Sequence, residues 1–304
     1  MATDTQAARL LAPAKLTVRL RITGIRSDGY HLIDAEMVTL DVCDEIIVHH
    51  SSASSVEIVP APAPRDGTGA VPDWDVPTDR SNLVIRALEL AGRTAHVEVR
   101  KRIPPGAGLG GGSADAAAVL RWANRVTAAQ TAGAATTGAG PRPHPLAIVT
   151  PQQAAVLGAD VPFCLVGGRA RVTGVGEIVE PLGFRHQSFV LWTPPIEADT
   201  ATVYRKWDEL GGPSGDTNDL EPAALAAYPE LAAWRDELAA RTGRVPQLAG
   251  SGATWFIPEP VNANAVLPTI HGIPAVRACA ITTAEIEPAT NTEAQPQNPP
   301  LRGT

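Results

Sequence analysis

Apolar and polar positions alternate from Leu16 through Val18, Leu20 and Ile22 in LTVRLRITG, the period of a half-buried strand. EMVTLDVCDEIIVHH continues in the same β-rich manner, and AHVEVRKRI is a further alternating strand. Between them, residues 60–80 are rich in Pro, Asp and Gly and read as a loop. NLVIRALELAG then reads as a helix, with Asn82 near its start and Gly92 after its end. Directly after AHVEVRKRI the chain passes through a glycine-rich turn into an alanine-rich helix expected from about Ser113. Residues 127–145 are low in complexity and lack large apolar side chains, so they are expected to form a flexible surface insertion. TPQQAAVLGADVPFCLVGGRARV predicts a short helix, a loop and a strand, with Pro151 in the first turn after Thr150. FVLWTPP is strand-like, and TATVYRKWDEL and PAALAAYPELAAWRDELAAR each predict a helix. VPQLAGSGATWFIP and PAVRACAIT supply the strands of a second α+β unit. The polar, Pro-rich tail from about Glu287 is expected to be disordered. Strands and helices are interspersed without regular βα alternation, which favours an α+β fold over a doubly wound parallel sheet.

The chain of 304 residues is long enough for two domains, and its 44% hydrophobic content supplies a sizeable core. Lys and Arg number 25 against 32 Asp and Glu, a net charge of −7 with no basic run, which argues against nucleic acid as a partner. A polyanionic ligand would therefore be held by backbone amides and a few local cations. Cys43, Cys164 and Cys279 fit neither a disulfide framework nor a zinc site, and a reducing cytoplasm is the expected compartment. No stretch reads as a signal peptide or a membrane span.

The strongest single feature is PPGAGLGGGSA. It runs from Pro104 through Pro105, Gly106, Ala107, Gly108, Leu109, Gly110, Gly111, Gly112 and Ser113 to Ala114. Glycines let backbone approach an anion closely, and a helix start adds the positive end of its dipole, so a phosphate fits. A flexible linker has a similar composition, but linkers seldom join an alternating strand directly to a well-formed helix. The Walker A pattern fails, because Gly112 is followed by Ser113 and Ala114 with no lysine. A dinucleotide loop is weak, because the ribose-binding acid expected about 20 residues on is replaced by the Ala/Thr/Gly segment.

GAGLGGGSADAA resembles the second motif of the GHMP kinases, whose loop wraps ATP. APAKLTVRLRITGIRSDGYHLI, LGADVPFCLVGGRA, NDLEPAA and LAGSGATWF extend the resemblance over nearly the whole chain. They are similar to the branch that phosphorylates the 2-hydroxyl of a cytidine-diphosphate-bearing methylerythritol in non-mevalonate isoprenoid synthesis. The resemblance implies a two-domain α+β fold with the active site in the cleft between the domains. These would be residues 1–170, carrying the ATP loop, and residues 171–286 on the substrate side. It implies ATP as co-substrate, with Mg²⁺ carried on ATP and reached by Ser113, no separate protein metal site, and a soluble monomer or homodimer. Asp160 becomes the base and Lys15 its neighbour, which orients the hydroxyl. Asp28, Gly29, Tyr30 and His31 (DGYH) place the cytosine, Tyr204 closes its other face, and Gly250 and Ser251 form the third motif beside the substrate.

Two positions depart from that pattern. Thr17 stands where the family usually carries asparagine, and Ala114 replaces a common serine. Three rivals follow. A GHMP kinase of another alcohol, homoserine or mevalonate, would not need Tyr30 and His31. A non-catalytic sensor would not need Lys15 and Asp160. A nicotinamide oxidoreductase lacks its ribose-binding acid.

Overall fold

The computed structural model describes residues 7–60, 74–137, 147–260, 269–270 and 272–286. The expected tail, most of the 60–80 loop and residues 138–145 of the expected insertion lie outside the described residues.

Two long strands, β1 (Ala8–Ile25) and β2 (His31–His50), form an antiparallel hairpin that is the spine of the first sheet. β1 begins well before the alternation at Leu16, because Leu10, Ala12 and Ala14 are also buried. The other strands are β3 (Ser55–Pro60), β4 (Ala95–Lys101), β5 (Arg169–Gly174) and β6 (Ile178–Pro181). They give the order β3-β4-β2-β5-β6, with β1 on β2 and only the β3–β4 pair parallel. The expected division at residue 170 falls inside β5, whose pairing with β2 and β6 keeps the chain through Pro181 in this sheet. That pairing is non-local, and no local pattern announces it.

Helix α1 (Leu83–Leu90) is capped by Asn82, whose side chain accepts from the Val84 amide. Helix α2 (Gly111–Thr137) buries Ala114, Ala116, Ala117, Ala118, Val119, Leu120 and Ala123, small side chains that allow close packing. It overturns two expectations. The helix starts at Gly111 and not near Ser113, with the Ala114 amide donating to the Gly110 carbonyl at 2.8 Å, so Ser113 lies within the first turn. Residues 127–137 are helical as well, because alanine is a strong helix former. Two short helices follow, α3 (Pro151–Ala154), with Thr150 and Gln153 in a capping box, and α4 (Val161–Val166).

The second sheet, in the order β12-β7-β9-β8, is antiparallel throughout. It contains β7 (Ser188–Trp192), β8 (Gln247–Leu248), β9 (Trp255–Glu259) and β12 (Val276–Cys279). A small ribbon, β10 (Thr269–Ile270) and β11 (Ile273–Pro274), and a last turn, α8 (Thr283–Ile286), complete it. Helix α5 (Thr200–Glu209) follows β7. The single helix expected over PAALAAYPELAAWRDELAAR is broken into α6 (Glu221–Ala227) and α7 (Glu230–Thr242). Pro229 pushes the residue before it out of the helical region, and Tyr228 sits at φ −131°, ψ 77°.

An apolar cluster ties the two sheets together. Ala14 and Leu16 of β1 pack with Ala107 and Leu109 of the glycine-rich loop, and with Phe189, Leu191 and Phe256 of the second sheet. The loop is thus seated on the core shared by both halves.

Candidate active site

The register of β1 on β2 slips between Pro13 and Lys15 and again between Thr17 and Arg19. Such bulges re-aim side chains and free backbone groups. Here the Lys15 amide donates to the Leu109 carbonyl of the glycine-rich loop at 2.9 Å. The Lys15 side chain is 6% exposed, and its Nζ donates to Thr17 Oγ1 at 3.2 Å and lies 3.3 Å from Asp160 Oδ2. Asp160 stands at the head of α4, but its side chain makes no capping bond. Its carboxylate is spent on Lys15 and remains partly open to solvent. The structure therefore brings Lys15, Thr17 and Asp160 together from distant parts of the chain.

The glycine-rich loop arches over this pair. Gly106, Gly108 and Gly110 have φ of 69°, 78° and 69°, a region glycine occupies without strain. A Cβ on Gly110 would meet Lys15 Cγ at 2.8 Å, so the absent side chain admits the lysine. Gly250, at φ 66°, lies on the other side; a Cβ there would be 3.5 Å from Thr17 Oγ1 and 3.7 Å from Lys15 Nζ. The loop and the Gly250 turn touch through bare backbone, since a Cβ on Gly252 would lie 2.1 Å from Gly108 Cα. Gly252→Ala is expected to wedge the two segments apart and lower kcat/KM for ATP by about 100-fold, as Å-scale misplacement does, with steady-state kinetics at varied ATP as the check.

Asn218, buried just after β1's contact at Leu20, holds the turn. Its Nδ2 donates to the Leu248 and Gly250 carbonyls at 3.0 and 2.7 Å, and its Oδ1 accepts from the Leu220 amide. Ser251 Oγ is 2.9 Å from Thr200 Oγ1 at the start of α5. The same helix carries Tyr204 inward, where burial pushes the phenol pKa up and the charge of Asp160 adds to the shift. Tyr204 packs at 4.8 Å between ring centroids against His31, and Trp207, one helical turn on, meets the same imidazole edge-on at 5.4 Å. Asp28 and Gly29 form the tip of the β1–β2 hairpin, with Asp28 held by Arg26 at 2.7 Å. Tyr30 is 61% exposed beneath the Arg26 guanidinium, and no described ring contact joins it to the His31 group.

One buried group here was not anticipated. Lys101 Nζ donates to Asp44 Oδ2 and, at 2.8 Å, to Asp115 Oδ2. Asp44 Oδ1 accepts from the Arg102 and Ile103 amides at 2.5 and 2.9 Å. The triad joins the strand entering the loop to the helix leaving it. Burial lowers the Lys101 pKa, but the carboxylates of Asp115 and Asp44 outweigh it and the net shift is upward. Burial pushes Asp115 up to about 7, and among the described residues its Oδ1 has no hydrogen-bond partner. Asp44 is one of several acidic residues in β2, so nothing in the local pattern singled it out.

A cation and a carboxylate in contact, beneath a glycine-rich helix entrance, can accept a hydroxyl proton and stabilise a transferring phosphoryl group. Residues 82–168 match the family described as GHMP kinases N terminal domain. Fold, loop and charge pair together define a small-molecule kinase of the GHMP class. The chain is 35% identical over 268 residues to a 4-diphosphocytidyl-2-C-methyl-D-erythritol kinase of Cereibacter sphaeroides, covering 81% of this chain and 87% of that one. It is 33% identical to one of Paracoccus denitrificans, covering 82% and 85%. A crystal structure of 4-(cytidine 5'-diphospho)-2C-methyl-D-erythritol kinase superposes with TM-score 0.56 at 30% identity, over 82% of this chain and 89% of that one. Mevalonate pyrophosphate decarboxylase of Streptococcus pyogenes shares the fold at TM-score 0.52 and 11% identity, over 93% and 99%. The chain belongs to the family of 4-diphosphocytidyl-2-C-methyl-D-erythritol kinases.

Proposed function

We propose that the protein transfers the γ-phosphoryl group of ATP to the 2-hydroxyl of 4-diphosphocytidyl-2-C-methyl-D-erythritol. The observation that carries the mechanism is the Lys15–Asp160 contact at 3.3 Å, enclosed between the glycine-rich loop and the Gly250 turn. Asp160 accepts the hydroxyl proton as the oxygen forms its bond to phosphorus, and the bond to the β-phosphate oxygen breaks to release ADP. Lys15 orients the attacking oxygen, and Thr17 takes one of its N–H donors in place of an amide. The amides from Gly106 to Ser113 hold the phosphates. Three glycines at positive φ fit that task, because any side chain there would be strained and, at Gly108 and Gly110, would strike its neighbours.

Ser113, half-buried in the first turn of α2, would be the side chain to hold Mg²⁺ carried on ATP, which would supply charge neutralisation at the phosphates. The active site lies in the cleft between the two halves. The cytosine is held beside His31, with Tyr204 on one face and Tyr30, at the hairpin tip, closing over the other. The test is ADP release by the purified protein with Mg-ATP and the cytidyl substrate, run beside homoserine and mevalonate. Turnover is expected on the cytidyl substrate alone; turnover on another alcohol would discard the cytosine site and keep the kinase.

A further inference from the structure

The imidazole of His31 is fixed at one nitrogen and left open at the other. Its Nε2 lies 2.8 Å from Asp208 Oδ1. A carboxylate only accepts, so Nε2 carries the hydrogen. Among the described residues Nδ1 has no hydrogen-bond partner. The ring is 11% exposed and wedged between Tyr204 and Trp207, and the indole is itself pinned by its N–H donating to the Pro213 carbonyl at 2.8 Å. The other charges near Asp208 on α5 are engaged elsewhere, Lys206 with Glu209 and Arg205 with Thr202. Asp208 serves His31.

A carboxylate on one ring nitrogen sets the tautomer and decides what the other can do. In the neutral ring with hydrogen on Nε2, Nδ1 offers a lone pair and nothing else. At the matching edge cytosine presents an amino donor, whereas uracil presents an oxo acceptor. We propose that Asp208 is a positioning residue for nucleobase choice: by holding the hydrogen at Nε2 it makes His31 Nδ1 an acceptor that pairs with the 4-amino group of cytosine and opposes the 4-oxo group of uracil. The inference rests on the cytidyl substrate proposed above. It adds a discriminating contact where Tyr204 and Tyr30 supply stacking, which every base tolerates.

The experiment compares kcat/KM for two substrates that differ only in the base, the cytidine and the uridine diphosphate esters of methylerythritol. The full-length wild type, Asp208→Ala and Asp208→Asn are each assayed. Asp208 is exposed on a helix, and alanine is a good helix former, so the variants fold. The wild type is expected to prefer cytidine by about 100-fold or more, because a site built to hydrogen-bond a group rejects the analogue lacking it. In Asp208→Ala the preference falls below about tenfold through a raised KM for the cytidyl ester, while kcat stays within about threefold and KM for ATP is unchanged. Asp208→Asn, which keeps an acceptor toward Nε2, retains more of the preference than alanine does. Nitrogen-15 NMR of His31 is expected to show the hydrogen on Nε2 in the wild type and a mixture in Asp208→Ala. Unchanged base preference in Asp208→Ala, or hydrogen on Nδ1 in the wild type, overturns the proposal alone. No turnover of the cytidyl ester by the wild type overturns it together with the function it rests on.

Discussion

Asp160→Asn is expected to lower kcat by about three orders of magnitude, while the dissociation constant for ATP changes less than about twofold. The substitution keeps the shape of the side chain and an oxygen toward Lys15 Nζ, now 3.3 Å from Oδ2. It removes the basicity that the attacking hydroxyl needs. Asp160 makes no capping bond to α4, its side chain is partly exposed and the amide oxygen still accepts from Lys15, so the loss of stability should stay near about 1 kcal/mol, which separates a chemical role from a structural one. Single-turnover rates and calorimetric ATP titration are the checks. Near-normal turnover in the asparagine variant would remove Asp160 from the chemistry.

The second large effect lies beneath the loop. Lys101→Met is expected to destabilise the protein by about 3–5 kcal/mol, the cost of leaving a buried carboxylate without its cation. Asp44 and Asp115 would then face each other at 0% and 7% side-chain exposure. Asp115→Asn alone should be close to neutral, since its oxygen still accepts from Lys101 and one buried charge is gone. Combined with Lys101→Met, it should recover part of the loss. Urea unfolding measures all three; a loss below about 1 kcal/mol in Lys101→Met would show that the triad is solvated and contributes little. Because Asp44 also takes the Arg102 and Ile103 amides, Lys101→Met is further expected to loosen ATP binding.

The parts of this site that were legible in the sequence are those whose chemistry is local. A glycine-rich turn between an alternating strand and a helix is nearly self-describing, because close backbone approach to phosphate demands glycine at consecutive positions. Its detail was less so. The expected helix start near Ser113 lies two residues late, because the Gly110 carbonyl already accepts from Ala114 and the helix begins at Gly111. The Lys15–Asp160 contact could be named only through resemblance, since the slip at Pro13/Lys15 that aims the lysine leaves no trace in local periodicity. The Lys101 triad and the Asn218 clasp were missed for the same reason: each joins residues far apart in the chain through burial. Two misses had readable causes. Pro229 announces the break between α6 and α7, and Trp207 stands one helical turn from Tyr204 on the same face.

The most direct test of the central claim is phosphorus-31 NMR of a turnover mixture containing Mg-ATP and 4-diphosphocytidyl-2-C-methyl-D-erythritol. ATP resonances should give way to ADP as one new phosphomonoester resonance grows in equal amount, with the cytidine diphosphate signals intact. ADP accompanied by inorganic phosphate and no new ester, or a cleaved cytidine diphosphate, would contradict transfer to the alcohol.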